Sequence, residues 1–113
     1  MSGVLVLSLM LAAGAAPAAP VDDEILVIAR KMRFIKVDIK APTRNGHLVL
    51  ERCRVSRSSG DAELDAVPCE VTQACMTSNP KTRKDLRVCV EQRSRVRIDE
   101  IAARRRAARI GQS

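Results

Sequence analysis

The sequence contains no tryptophan and no tyrosine, and Phe34 is its only aromatic residue. A core made without large rings has little apolar volume to offer. His47 is the only histidine, and it sits beside an Asn-Gly turn rather than beside the serine pair Ser58-Ser59. No G-x-S-x-G elbow occurs, so neither serine has the base and the strained strand-to-helix turn that a hydrolase nucleophile needs. No C-x-x-C pair is present, which removes the usual dithiol redox motif. The cysteines are spaced C-x15-C-x5-C-x13-C, without the close pairs that structural zinc prefers. There is no internal repeat and no low-complexity linker. The expectation is therefore a protein that is not an enzyme, needs no cofactor, and acts by binding or as a structural part. The alternative is a metal-binding or redox-active cysteine protein of the envelope, which requires free thiols.

What is present begins with an apolar, uncharged run, "GVLVLSLMLAA", followed by the small residues of "AGAAPAAP". This is the pattern of a secretory h-region and its cleavage site, and both Ala13-Gly14-Ala15 and Ala16-Pro17-Ala18 fit A-x-A. Residues 1–19 are read as a signal peptide. An uncleaved anchor is the other reading of the same stretch. Export places the protein in an oxidising compartment outside the cytosol. There the even set Cys53, Cys69, Cys75 and Cys89 reads as two disulfides. In a 113-residue chain shortened by cleavage, core burial alone is marginal and such staples matter.

The run from Asp22 to Pro42 is rich in β-branched residues. It is read as one long strand, or as two with a break near Lys31-Met32. Asn45-Gly46 is the strongest short hairpin signal in the chain. The return strand "HLVLERCRVSR" puts Val49, Cys53 and Val55 on one face and Arg52, Arg54 and Ser56 on the other. Ser58, Ser59 and Gly60 break that alternation and form a corner. Asp61 is placed as the cap of the next helix, with Glu63 and Asp65 matching its dipole. That helix turns Leu64, Val67 or Pro68, Val71 and Cys75 toward the sheet. Pro68 is awkward beyond a first turn and suggests that regular helix starts near it. Residues 85–97 fit either a strand or a helix, with helix favoured. "DEIAARRRAARI" is helix-prone, with Ile98, Ile101, Ala102 and Ala108 as a thin apolar face and Gly111 as its stop.

The fold class that follows is α+β: a small antiparallel sheet of two to three strands on one or two helices, with a basic C-terminal helix and two disulfides. The divisions are 1–19 signal peptide, 22–92 stapled domain, and 93–113 basic helix or tail. Facing favours Cys53–Cys69 with Cys75–Cys89, because Cys53 lies on the covered sheet face and Cys69 on the covering helix. Cys53–Cys75 with Cys69–Cys89 is the rival connectivity.

A strand with Cys53 and Val55, then "SSGDAELDA", then a helix resembles the carboxy-terminal domain of TonB-type energy transducers. The matching positions are Gly46, Cys53, Val55, Ser58, Ser59, Gly60, Leu64, Asp65 and Ala66, within residues 45–74. The resemblance implies a periplasmic domain in which this helix packs on the sheet. Cys53 and Cys69 replace aliphatic core residues of that family. The proline-rich linker and the aromatic-Pro-Ala segment of a working transducer are missing.

The formal net charge is +7, with seven Arg between Arg93 and Arg109. Such a surface favours anionic partners. For an exported protein these are an anionic envelope component or another periplasmic protein rather than nucleic acid. Membrane contact would come through an uncleaved N-terminal segment or the basic helix. The expected basic surface is Arg52, Arg54, Arg104, Arg105, Arg106 and Arg109.

Overall fold

The computed structural model describes residues 23–112. The segment read as a signal peptide, 1–19, lies outside the described residues. The order is α1 (Asp23–Phe34), β1 (Lys36–Lys40), β2 (Thr43–Arg44), β3 (His47–Leu48), β4 (Arg52–Arg57), α2 (Ala62–Met76) and α3 (Arg83–Gln112). The α+β class holds among the described residues, with three helices, the last of them basic, and two antiparallel sheets of two strands each.

One of these helices, α1, corrects the reading of the first part of residues 22–42 as strand. Asp23 and Glu24 occupy its first turn, and Lys31 and Arg33 its last, which matches the helix dipole at both ends. Ile25, Ile28 and Met32 recur at helical spacing. Ile28 is fully buried, and Ile25 and Met32 pack beside it. Burial of that stripe outweighs the β preference of the Ile and Val residues. Only from Lys36 does the segment become strand.

β1 pairs antiparallel with β4, with Val37 opposite Val55 and Ile39 opposite Cys53. β2 and β3 pair through Arg44 and His47 around the Asn-Gly turn. Asn45 and Gly46 have φ of 53° and 82°, as a type I′ hairpin requires. The Val49 N–H donates to the Pro42 carbonyl at 2.9 Å and the Glu51 N–H to the Lys40 carbonyl at 2.8 Å. These bonds carry the hairpin across the gap between β3 and β4.

α2 starts at Ala62, not near Pro68. Asp61 is its N-cap and accepts from the Leu64 N–H at 3.3 Å. Pro68 leaves the Leu64 carbonyl without the usual donor four residues on, yet the helix continues to Met76. Leu64, Val67, Val71 and Cys75 form its buried stripe. Thr72 is also buried, and its hydroxyl donates to the Pro68 carbonyl at 2.7 Å.

α3 is one helix of 30 residues, about 45 Å long. It runs without a break across the boundary placed at 92/93. Leu86 from its first part and Ile101 and Ala102 from its last part join Ile28, Leu48, Leu64 and Val67 in a single cluster. Ile98 packs against that cluster, whereas Ala108 is exposed. Gly111 lies inside the last turn rather than after it. The cysteines pair as Cys53–Cys69 and Cys75–Cys89, with Cα separations of 5.7 and 5.9 Å. One bridge ties β4 to α2. The other ties the end of α2 to the start of α3 across the Asn79-Pro80 loop.

Candidate anion-binding surface

The Ser58-Ser59 corner is built by hydrogen bonds that serve the backbone. Asp65 receives the Ser58 hydroxyl, the Ser59 hydroxyl at 2.7 Å and the Ser59 N–H at 2.8 Å. In turn, the Ser58 Oγ accepts from the Gly60 N–H at 2.9 Å, and the Ser59 Oγ from the Asp61 N–H at 3.1 Å. Gly60 turns the chain with φ of 86°, a conformation open to glycine. The three bonds to Asp65, led by that from Ser58, hold its carboxyl below the ordinary range. Both serine hydroxyls are therefore used in joining β4 to α2. His47 is exposed on β3 beside the Asn-Gly turn.

The cations divide into two populations. Several of the expected surface arginines close ion pairs within the chain. Arg105 contacts Asp61 at 3.0 Å and Glu63 at 2.9 Å, and Arg104 also bonds Glu63. Arg109 pairs with Glu24 of α1. On the sheet, Arg52 lies 3.1 Å and Arg54 3.7 Å from Asp38. Glu51 takes Lys40 and Arg44. Arg106 belongs to the same basic run and is exposed and partnered. The second population makes no ion pair among the described residues. It includes Arg30, Arg33, Lys36 and Arg57 around α1 and the β1–β4 sheet, and Arg87, Arg93 and Arg95 on α3.

Asp61 is the centre of the paired network. Besides capping α2 it meets Arg105 of α3 and, at 3.4 Å, Lys31 of α1, with its side chain only 14% exposed. The Arg105 hydrogen bond, aided by the Leu64 N–H and Lys31, holds its pKa at about 2, from an ordinary 3.8. Arg104 and then Arg105 lower Glu63 too, and the same carboxylates raise Arg105. A depressed carboxylate stabilises the fold above its unfolded pKa and ceases to do so as pH falls through its folded value. The Asp61 contribution is thus complete above about pH 5 and is lost progressively toward pH 2. After solvent screening it amounts to about 1–2 kcal/mol. Asp61→Asn keeps a good cap, so urea midpoints at pH 7 and pH 3 should show it less stable than the parent at both, with the deficit at pH 3 reduced to about half. Asp61→Ala should cost about 1 kcal/mol more at both pH values through loss of the cap.

Two open depressions flank these charges. One of about 470 Å³ lies between α2 and α3 and is lined by Glu70, Val71, Ala74, Arg93, Val96, Arg97 and Glu100. Another of about 310 Å³ joins Ile39, Ala41, Pro42 and Leu86 with Lys40 and Arg83 at its rim. No group of three or more His, Cys, Asp or Glu that could hold a metal ion occurs among the described residues. All four cysteines are in disulfides, which leaves no free thiol.

Sequence reasoning placed Arg52, Arg54, Arg104, Arg105 and Arg109 on the surface and missed their partners. It also missed Arg30, Arg33 and Arg57. The signal for the first two was the helical spacing of α1, which brings Arg30 and Arg33 to one face, whereas Arg57 ends β4. Comparison with protein-family models, curated proteins and solved structures gives no match.

Proposed function

We propose that this is a small exported periplasmic domain of binding or structural type, stapled by its two disulfides, which associates with an anionic component of a Gram-negative envelope. The reading includes cleavage of residues 1–19 and a relationship to the carboxy-terminal unit of TonB-type transducers without the transducer's linker. The β4–corner–α2 unit, clasped by Asp65, supports the second of these. The disulfides are compatible with export. The observation that carries the binding reading is the surplus of cations left after the internal ion pairs have formed. A cation whose field is already matched by a carboxylate at 3 Å attracts an external anion weakly, whereas an unmatched one acts at full charge.

Dextran sulfate is a suitable soluble probe. The disulfide-intact protein should bind it in about 50 mM salt and release it on the way to 0.5 M, since attraction between exposed charges is screened over that range. Failure to bind at the lower salt concentration would remove this reading.

A further inference from the structure

The exposed side of α1 combines charge with apolar side chains. Ile25, Ile28 and Met32 turn to the core. The opposite side carries Leu26, Arg30 and Arg33 at spacings of four and three, with Val27 and Phe34 seven apart along its flank. Leu26 and Val27 are each 43% exposed and Phe34 is 56% exposed. Arg30 lies within one helical turn of all three. At the end of the helix the Arg57 guanidinium sits 5.9 Å from the centre of the Phe34 ring. Lys36 is in register with Arg57 across the sheet. Arg30, Arg33, Lys36 and Arg57 are all cations without an ion pair among the described residues, and among those residues Asp23 is the one carboxylate on the outer side of α1.

We propose that this α1–β1 face docks on an anionic lipid bilayer, and the proposal rests on the reading of an anionic envelope partner. A soluble polyanion would use the cations but leave Leu26, Val27 and Phe34 in water. A bilayer interface uses both. Exposed apolar residues enter the headgroup boundary while Arg and Lys meet phosphate. Phe34 and Arg57 form the point of such a face, with the ring directed inward and the guanidinium at phosphate depth. The face is amphipathic rather than apolar all round, so it lies along the bilayer surface. Each cation near a charged bilayer contributes about fivefold in affinity.

The absence of tryptophan gives a direct reporter. In Phe34→Trp the indole is the sole tryptophan. In Val96→Trp it sits on α3, at a position 59% exposed, as a control that also reports any association through another part of the chain. Vesicles of phosphatidylglycerol with phosphatidylethanolamine should shift F34W emission to the blue and leave V96W unchanged. Vesicles of phosphatidylcholine alone should shift neither. Arg30→Gln with Arg33→Gln in the F34W background should lower vesicle affinity about twentyfold or more. No F34W shift, equal shifts at both positions, or a shift on phosphatidylcholine would overturn the proposal. So would an F34W shift that appears on raising protein concentration without vesicles, because a second copy would then cover the face. Dextran sulfate separates the two levels. Binding to it without an F34W shift on vesicles rejects lipid docking alone, and binding to neither rejects the anionic partner as well.

Discussion

Replacing Cys75 and Cys89 together by alanine is expected to cost about 3–5 kcal/mol. Closing a loop of this size restricts the unfolded chain by about 3 kcal/mol. Cys75 is also fully buried among Val71, Leu86 and the other core residues, so its truncation removes packing as well. Cys53 and Cys69 close a loop of similar length, with a separation of 16 residues against 14. Both of those residues are only half-buried, so their double alanine variant should lose about 3 kcal/mol, mostly through the entropic part. A domain of this size has of order 5–10 kcal/mol in total. The Cys75/Cys89 variant should therefore unfold at the foot of a urea titration, with the Cys53/Cys69 variant between it and the parent. An unchanged midpoint in the first variant would show that the bridge does not hold α2 against α3.

The second large effect is at Ile101. This residue lies in the basic C-terminal run but is fully buried in the common core. Ile101→Ala should cost about 2–4 kcal/mol. Ile101→Asp should abolish cooperative unfolding at 25 °C, because the buried residues of that cluster include no charged group and an unpaired buried charge is severely destabilising. Near-ultraviolet signal is scant in a chain with one phenylalanine, so far-ultraviolet circular dichroism against urea is the measurement. If Ile101→Asp instead leaves α1, α2 and the hairpin with the parent's midpoint, the C-terminal run is an appendage rather than part of the domain.

Local signals were the legible ones. Asn45-Gly46 specifies its own backbone and forms the expected turn. Asp61 caps α2 because a short acidic side chain at that point meets N–H groups that lack partners. The disulfide connectivity followed from facing, since alternation along β4 fixed the side on which Cys53 lies. Two features were hidden for physical reasons. In α1, the stripe Ile25–Ile28–Met32 is masked by Leu26 and Val27, which are equally apolar but remain exposed. Composition therefore resembled a strand, and only tertiary burial decided for helix. On α3, the density of arginine was plain but its partners were not. Arg104 and Arg105 find Glu63 across 41 and 42 positions of sequence, a distance over which no local pattern carries information.

This division of charge is the centre of the account. Arg52, Arg54, Arg104, Arg105 and Arg109 hold the helices and the sheet face, and the cations left over face outward. The most direct test compares dextran sulfate binding by two variants of equal charge change. One is Arg30→Gln with Arg33→Gln, and the other is Arg52→Gln with Arg54→Gln, both checked for an unchanged fold by circular dichroism. The account predicts that the first loses more affinity and more salt dependence than the second. Equal losses, or a greater loss at Arg52 and Arg54, would contradict it.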